Sequence, residues 1–508
     1  MSSRIDALDA RYELIVVGGG ITGAGVLHEA ARSGAKALLV EAGDFASGTS
    51  SRSSKLVHGG LRYLKSGQWR LTLESVRERQ RLLDEAPGLV EPLTFVMPIY
   101  AGRKPGRRTM QLGLWLYDRM AGVRRSRWVD AAGTLALEPD LDRAGLLGAM
   151  VYEDARTDDA RLVLRLIFDA LAAGATALSY APAELLRDGS RVRGVRVRDV
   201  ASGAQREIEA DVVVNASGAW ADRLPGAPAG APPLRPLRGS HLVFPARRLP
   251  LRHAVSWLHP HDRRPVFAYP WEGAVLCGTT DIDHREELWS PRITAHEGAY
   301  LTEALAQQFP RLALQAHEAI SSYAGVRPVV DGGKADPSAE SRESALWSGP
   351  GLVGVTGGKL TTFRTTARQA LRAASRQAAR LAPGRERPVF QPVPCEDGHA
   401  RLYGRLGAVA ASALLRDARA DELQPIGETP YSWAELRWSA RHEAVLHLQD
   451  LMLRRTRLGL VAESGGADHL GRVLEICRSE LGWDDARCAR EAQSYLAYWQ
   501  AQHAPPGA

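Results

Sequence analysis

A glycine-rich segment near the start of the chain is the feature that most constrains its fold. Residues 18–23 read G-G-G-I-T-G, after a short apolar run at residues 13–17 and before an alanine-rich helical stretch. In this motif the first glycine allows a tight turn, the second lets the backbone approach a pyrophosphate, and the third lets the helix pack close to the strand. Free amide groups at the start of the helix then face the phosphates. The segment therefore predicts a dinucleotide-binding site.

A second apolar run, residues 37–41, supplies the next part of this site. It ends in Glu41, 18 residues after Gly23. A carboxylate at the end of the second strand is placed to bind the hydroxyls of an adenosine ribose. The order of strand, turn, helix and strand is the opening of a doubly wound α/β domain. The candidate cofactor ligands of this region are Gly18, Gly20, Thr22, Gly23 and Glu41.

Two later segments favour FAD over NAD as the dinucleotide. Residues 212–218, V-V-V-N-A-S-G, predict a strand that runs into a small-residue turn, similar to a second fingerprint of FAD enzymes. Residues 354–362, G-V-T-G-G-K-L-T-T, predict a strand, a glycine turn and a helix start. A helix N-terminus there suits the electron-rich edge of a reduced flavin. Because these segments lie far from residues 18–23, we expect a discontinuous FAD domain with a substrate domain inserted.

The remaining patterns predict the domain organisation of this 508-residue chain. We assign residues 1–95, 150–235 and 345–380 to an FAD-binding domain, and residues 96–149 and 236–344 to a mixed-sheet substrate domain. Residues 381–395 are rich in proline and predict a linker. Residues 396–508 are mostly helical in pattern and predict a C-terminal helical domain.

Composition restricts the classes of partner and of site. The net charge of +7 suits anionic small molecules, anionic lipid surfaces or nucleic acid, and does not choose among them. The four cysteines, at positions 277, 395, 477 and 488, lack the spacing of a metal site and suit reduced thiols in a cytosolic protein. The sequence begins with a polar segment, and it contains no apolar run of the length that spans a membrane. We therefore expect a cytoplasmic protein with no metal, which meets a membrane only at its surface.

Residues 49–64, T-S-S-R-S-S-K-L-V-H-G-G-L-R-Y-L, resemble the signature of the FAD-dependent glycerol-3-phosphate dehydrogenases. Further motifs similar to this family follow in order: D-D-A-R-L at 158–162, R-G-S-H at 238–241, G-T-T-D at 278–281, G-V-R-P at 325–328, G-G-K-L-T-T-F-R at 357–364 and L-R-R-T-R at 453–457. The resemblance covers nearly the whole chain. It implies a Rossmann-like FAD domain of the D-amino-acid-oxidase and glutathione-reductase type, a mixed-sheet substrate domain and a helical cap domain. Mild departures from the family pattern are Thr22, Ser217 and Phe363, and residues 339–343 match it only loosely.

The resemblance implies oxidation of sn-glycerol 3-phosphate to dihydroxyacetone phosphate by hydride transfer to FAD. For the phosphate dianion we expect Arg327 and Arg342, because a guanidinium group binds phosphate through two parallel N–H bonds. For the base that takes the hydroxyl proton we expect His241, with His58 and Tyr63 as rivals. Arg62 and Lys359 are expected to hold substrate oxygens and to stabilise negative charge on the reduced flavin. The other expected cofactor-binding residues are Thr49, Ser50, Ser54, Lys55, His58, Gly60, Ser217, Gly218, Gly358, Lys359, Leu360 and Thr361.

The segment at residues 103–128 mixes apolar and aromatic residues with arginines. This pattern suits an element that lies on an anionic membrane surface, and it also suits a buried helix whose arginines reach out to water. The family resemblance implies a quinone as electron acceptor, and a homodimer is compatible with it. We therefore expect a peripheral protein on the inner face of the cell membrane.

Three other functions are compatible with part of these patterns. A soluble glycerol-3-phosphate oxidase would pass its electrons to oxygen. An amine or amino-acid oxidase on the same flavin fold would need one carboxylate anchor and no phosphate site. A non-catalytic protein that binds a dinucleotide or contacts tRNA would use the basic surface, but no RNA-binding motif is present.

Overall fold

A computed structural model of the chain describes residues 3–60, 69–228, 230–334, 340, 343–392 and 398–507. Its strands are β1 Arg11–Val17, β2 Ala37–Val40, β3 Leu56–Val57, β4 Val90–Tyr100, β5 Arg127–Asp130, β6 Leu146–Thr157, β7 Thr176–Leu178, β8 Ala183–Asp188, β9 Arg191–Arg198, β10 Gln205–Asn215, β11 Leu234–Pro245, β12 Ala254–Leu258, β13 Pro265–Trp271, β14 Ala274–Gly278, β15 Ile282–Asp283, β16 Ser321–Val330, β17 Ser344–Gly349 and β18 Leu352–Gly357. Its helices are α1 Ile21–Arg32, α2 Trp69–Glu85, α3 Arg107–Ala121, α4 Ala131–Leu137, α5 Asp159–Ala172, α6 Ala295–Gln308, α7 Phe363–Ser375, α8 Ala400–Leu406, α9 Ala408–Asp417, α10 Trp433–His442, α11 Leu448–Asp450, α12 Leu458–Val461, α13 Leu470–Leu481 and α14 Asp485–Gln502. Arg62, Tyr63, Arg342 and Cys395 lie outside the described residues.

The first of two sheets carries the predicted dinucleotide site. Within the described residues its main path runs β17-β18-β10-β1-β2-β7, and β8 and β9 extend it from β10. The central strands β18, β10, β1 and β2 are parallel to one another. Strands β1, β2 and β18 and the end of β10, residues 212–214, are apolar and buried, as strands covered on both faces should be. Helices α1, α5 and α7 pack together over this sheet and share one apolar core with it.

The sheet topology confirms that the FAD domain is a discontinuous doubly wound unit. Strand β1 lies between β2, the next strand in sequence, and β10, which lies about 200 residues later. Strand β18 then adds to β10 from a segment close to residue 355. The three fingerprint segments therefore meet at the carboxyl ends of neighbouring parallel strands, where ligands bind in open α/β sheets.

The second sheet is mixed and mostly antiparallel. In the described residues its main path is β15-β11-β14-β13-β12-β4-β6-β3, with β16 paired to β11 and β5 paired to β6. One face of the β11–β14 region packs on α6 in its own apolar cluster. The opposite face looks toward the FAD domain and carries the candidate substrate residues described below.

Several predicted domain boundaries fall inside paired strands. The boundary at 95/96 cuts β4 and that at 149/150 cuts β6, although β4 and β6 pair along nearly their whole length in the second sheet. The boundaries at 235/236 and 344/345 cut β11 and β17. The predicted linker also contains Val389 and Phe390, which are buried in the core of the FAD domain. Both β4 and β6 therefore belong to the second sheet, because a strand is assigned by the strands it pairs with.

The C-terminal helical domain covers the junction between the two sheets. Its helices α10, α13 and α14 enclose an apolar cluster that continues into the face of the second sheet. A π-helical turn, Leu451–Arg455, and the segment after it bring three arginines into the interior, Arg454, Arg455 and Arg457. Among the described residues, no helix has both the length and the apolar character needed to cross a membrane.

Candidate functional site: a dinucleotide cradle against a sheet face

The glycine turn between β1 and α1 has the tight geometry predicted for a dinucleotide site. A Cβ atom added to Gly23 would lie 1.9 Å from the carbonyl oxygen of Gly18, so α1 could not pack at this distance with any other residue there. Gly18 itself has φ +112°, and a Cβ there would meet the carbonyl of Ala216 at 2.6 Å. Gly20 precedes the first residue of α1, and Thr22 lies half-buried in the first turn. The turn thus leaves backbone, and not side chains, at the start of the helix.

Glu41 lies at the end of β2 and faces this turn. Its carboxylate accepts hydrogen bonds from the backbone N–H of Gly19 at 2.6 Å and of Gly43 at 2.8 Å. Burial raises the pKa of the Glu41 carboxyl, while these two backbone donors oppose the rise. The side chain is therefore fixed beside the glycine turn, in the position predicted for a ribose ligand.

The loop at residues 49–55 also reaches the glycine turn. The hydroxyl oxygen of Ser50 accepts a hydrogen bond from the backbone N–H of Ile21 at 2.9 Å, at the start of α1. Thr49 donates to the carbonyl of Val326 on β16 at 2.5 Å. The loop therefore links the start of α1 to the second sheet.

The second and third fingerprint segments, residues 212–218 and 354–362, lie side by side at the ends of the parallel strands β10 and β18. Ser217 follows β10, and both its hydroxyl and its backbone N–H are turned toward the side-chain oxygen of Asn215. Gly218 accepts a hydrogen bond from the hydroxyl of Thr356 on β18 at 3.1 Å. Gly358, with φ +80°, then leads into α7 past Leu360 and the buried Thr361. These contacts hold the two segments side by side, next to the glycine turn.

Glycines on β11, β14 and β16 form a floor on the face of the second sheet that looks toward the loop. Gly239 and Gly325 stand directly opposite each other on β11 and β16. A Cβ on Gly325 would lie 2.5 Å from the carbonyl oxygen of Arg52, and a Cβ on Gly239 would lie 2.4 Å from the Nη2 atom of Arg327. The loop and the guanidinium group therefore lie directly on the sheet backbone.

Arg327 is held over this floor by the segment between β14 and β15. Its Nη1 atom donates to the Asp281 carboxylate at 3.0 Å, and its Nη2 atom donates to the Thr279 hydroxyl at 3.2 Å. The side chain is one-quarter exposed, and the Asp281 side chain is buried. A guanidinium group that is held in one plane and reaches solvent is suited to bind a phosphate.

His241 lies on the same face, two residues along β11 from Gly239. Its ring covers Gly278 on β14 and stacks on Tyr323 of β16, with ring centres 4.6 Å apart and an angle of 13° between the planes. Its Nε2 atom is 2.9 Å from the hydroxyl of Ser54, and its Nδ1 atom is buried without a hydrogen-bond partner among the described residues. Burial, helped by Arg327 and Lys55, holds the pKa of His241 well below its usual value, so the ring is neutral near pH 7.

The other predicted site residues that the structure describes lie in different surroundings. Lys55 is fully buried, with φ +53°, and burial lowers its pKa to about 8 while Asp159 opposes that shift. The ammonium group of Lys359 lies 3.3 Å from the hydroxyl of Ser75 on α2, so it is beside that helix. His58 is half-buried and Gly60 is buried at the end of the segment that follows the loop. The expected roles of Arg62, Tyr63 and Arg342 stay predictions, because these residues lie outside the described part of the chain.

Sequence reasoning gave no role to the acidic residues that support this site. Asp281 orients Arg327, and Asp159 binds the loop through Ser53 and Lys55. Both acids stand in motifs that were recognised, but only as part of a family resemblance. Their partners lie 46 and about 104 residues away in sequence, so no local pattern could have paired them.

The described residues fit a bound FAD. The glycine turn presents backbone amides at a helix start, Glu41 faces it, and the loop at 49–55 supplies hydroxyl groups beside it. A second sheet lies against the loop and presents an arginine and a histidine toward it. A dinucleotide cradle next to a face with these groups defines a class of protein, the FAD-dependent oxidoreductases.

Comparisons with known proteins support the class of FAD-dependent oxidoreductases and identify a family within it. A family model described as FAD-dependent oxidoreductase matches residues 13–368, and one described as the C-terminal domain of alpha-glycerophosphate oxidase matches residues 396–488. The chain is 35% identical to glycerol-3-phosphate dehydrogenase 2 of Mycobacterium bovis, over 97% of this chain and 88% of that protein. It is 39% identical to the aerobic glycerol-3-phosphate dehydrogenase of Staphylococcus haemolyticus, over 70% of this chain and 65% of that protein, slightly under two thirds of its length.

A solved structure of similar shape agrees with these relatives. The glycerol-3-phosphate dehydrogenase of Bacillus halodurans, crystallised with FAD, is 27% identical, with a TM-score of 0.78 over 98% of this chain and 96% of that one. The chain belongs to the family of FAD-dependent glycerol-3-phosphate dehydrogenases. The predicted fold class and the predicted cofactor, FAD, are thereby confirmed.

Proposed function

We propose that this protein oxidises sn-glycerol 3-phosphate to dihydroxyacetone phosphate and passes the electrons to a membrane quinone. The observation that carries the proposal is the Arg327 guanidinium group, which Asp281 and Thr279 hold over the glycine floor on the face that meets the loop at 49–55. A phosphorylated substrate needs a charged, directional anchor of this kind. The names of the relatives agree with this substrate.

The protein's own side chains perform the binding and proton steps of the proposed reaction. Arg327 binds the phosphate and fixes the orientation of the substrate. His241 is neutral near pH 7, so its Nε2 atom can accept the proton of the C2 hydroxyl when that hydroxyl takes the place of the Ser54 hydroxyl beside it. FAD, when bound, supplies the acceptor for the C2 hydride. Lys359 and Arg62 remain proposed stabilisers of the negative charge that results.

The first experiment is an anaerobic titration of the purified protein with sn-glycerol 3-phosphate, followed through the visible absorbance of the flavin. We expect the absorbance to bleach with this substrate and to stay unchanged with glycerol or with amino acids. Bleaching by an amino acid would favour an amino-acid oxidase instead. If bound flavin is not bleached by sn-glycerol 3-phosphate, the proposed substrate is wrong.

The electron acceptor is tested on the same preparation after reduction. We propose that a short-chain quinone reoxidises the flavin much faster than dissolved oxygen does. Rapid reoxidation in air with formation of hydrogen peroxide would instead assign the protein as a soluble glycerol-3-phosphate oxidase. Sedimentation of the same sample tests the proposed homodimer.

The membrane contact that we propose lies on α3, within the predicted segment 103–128. Helix α3 buries Leu114 and Tyr117, whereas its opposite side exposes 61% of Leu112 and 46% of Trp115. The guanidinium group of Arg119 lies 5.3 Å from the Trp115 ring centre. An apolar and aromatic surface bordered by arginines suits an anionic lipid interface. This is the basis for the proposed location on the inner face of the cell membrane.

Replacing both exposed residues should weaken this contact. We expect the double variant Leu112→Ser and Trp115→Ser to lose most of its co-sedimentation with anionic phospholipid vesicles, while its reduction by sn-glycerol 3-phosphate is unchanged. The matched control is Val409→Ser, because Val409 is 87% exposed on α9 of the helical domain. Equal vesicle binding by the double variant, the control and the unmodified protein would contradict a contact through α3.

A further inference from the structure

Several arginines of the helical domain reach buried acids of the FAD domain, and Arg457 is the one that also contacts the loop at 49–55. Arg457 is buried, and its Nη2 atom donates to the carboxylates of Asp159 at 2.5 Å and Asp158 at 2.7 Å. Its Nη1 atom also lies 3.4 Å from the carbonyl of Ser51. Arg457 therefore contacts both the start of α5 and the loop at 49–55.

The Asp159 carboxylate connects Arg457 to the rest of that loop. It accepts hydrogen bonds from the backbone N–H of Ser53 at 3.0 Å, from the Ser53 hydroxyl at 2.7 Å and from the Lys55 ammonium group at 2.9 Å. The Lys55 and Asp159 side chains are both fully buried. A carboxylate at this depth needs its cations, because an uncompensated buried charge is strongly unfavourable.

The same loop fixes the ring of His241. The Ser54 hydroxyl lies 2.9 Å from its Nε2 atom, and the hydroxyl of Tyr323, which stacks on the ring, donates to the Ser53 carbonyl at 2.9 Å. The Tyr269 hydroxyl donates to the Ser54 carbonyl at 2.6 Å. A shift of the loop would therefore move the hydrogen-bond partner of Nε2 and the ring stacked beneath it.

We propose that Arg457, from the helical domain, is a positioning residue that acts through Asp159 and the loop to hold His241 in the geometry the reaction requires. This inference rests on the proposed function and gives the helical domain a part in it. Arg327 is held separately, by Asp281 and Thr279 on the far side of β11. Loss of Arg457 should consequently lower kcat and leave the KM for sn-glycerol 3-phosphate nearly unchanged.

The variants that test this are Arg457→Met and Arg457→Lys. We expect kcat to fall about 10²-fold in Arg457→Met, because a small displacement of a catalytic group has an effect of this size. Lysine keeps a positive charge but cannot bridge both carboxylates with one planar group, so Arg457→Lys should recover part of the loss. KM should change by less than about threefold in both, since the phosphate anchor is untouched.

The matched control is Arg161→Met, which breaks a second buried contact between the same two domains. Arg161 on α5 pairs with Glu443 of the helical domain, and its side chain forms no hydrogen bond with the described loop residues 49–55. We expect a similar fall in melting temperature in Arg161→Met and Arg457→Met, with kcat lowered only in the latter. If both variants keep the same kcat, or lose it in equal proportion, Arg457 is merely structural.

A second readout does not depend on turnover. Modification of histidine by diethyl pyrocarbonate, followed by mass spectrometry of the peptide that contains His241, measures how well the ring is covered. We expect slow modification in the unmodified protein and in Arg161→Met, and faster modification in Arg457→Met. Equal protection in all three would overturn the inference even if activity differed.

If Arg457→Met does not fold, Ser53→Ala tests the same link from the other side, because it removes the Ser53 hydroxyl that donates to Asp159. It should lower kcat with an unchanged KM, and an unchanged kcat would overturn the inference. Failure of the proposed function is distinguishable, since it would leave the unmodified protein unreduced by sn-glycerol 3-phosphate before any variant is compared.

Discussion

The Gly23→Ala variant is expected to purify without FAD and therefore without activity. Its new methyl group would stand 1.9 Å from the carbonyl oxygen of Gly18, a distance that real atoms do not adopt. Helix α1 must move away from β1 to relieve the clash, and its first amides then leave the position in which they face a pyrophosphate. The measurement is the flavin released per protein on heat denaturation.

A second glycine replacement separates this effect from a general loss of stability. Gly471 lies in α13, and a Cβ there would meet no atom within 4 Å. Gly471→Ala should bind FAD normally and gain slightly in stability, because alanine favours the helix. Full FAD content in Gly23→Ala would mean that the glycine turn is not the cofactor site.

Replacement of Arg327 is expected to give the largest loss of substrate affinity. Once a bound substrate covers the partly exposed Arg327, truncating one partner of the hydrogen-bonded charge pair costs about 2–5 kcal/mol, which corresponds to a loss of roughly 30- to 5,000-fold in kcat/KM. Most of the loss in Arg327→Met should appear in KM. Arg327→Lys should recover only part of it, because an ammonium group lacks the planar pair of donors. Steady-state kinetics with sn-glycerol 3-phosphate and a quinone measure both constants.

Two comparisons make this result specific to the phosphate. Glycerol lacks the phosphate, so any residual reduction of the flavin by a high concentration of glycerol should be the same in Arg327→Met and in the unmodified protein. Arg416→Met is the surface control, since Arg416 is largely exposed and pairs with its neighbour Asp417. An unchanged KM in Arg327→Met would show that another residue anchors the phosphate.

The arrangement of the candidate cofactor site was largely predictable because its determinants are local. The glycine turn, Glu41 and the two later fingerprints each lie within one strand–turn–helix unit, and parallel pairing brings their ends together. The domain boundaries were less predictable. Strands β4 and β6 belong to one sheet through pairing across an interval of some 50 residues, which no pattern in either strand reveals.

The contacts that hold the residues of the substrate face in place could not be predicted, for a similar reason. The motif at 278–281 was recognised, but the pairing of Asp281 with Arg327 depends on the antiparallel neighbours of β11. The motif at 453–457 by itself predicts only a helical cap domain. Its contact with Asp158 and Asp159 joins residues almost 300 positions apart. A sequence pattern can identify such residues, but it does not show which of them contact each other.

The wide spacing of the contacts made by the loop at 49–55 has a consequence for synthesis of the chain. The loop is synthesised long before three of the residues that hold it, His241, Val326 and Arg457. The glycine turn and Glu41 can assemble once β10 has joined β1 near residue 215. The full set of contacts to the loop beside them can form only after Arg457 has been synthesised. A nascent chain would therefore hold its nucleotide loosely until the segment around Arg457 has been synthesised and has reached the loop.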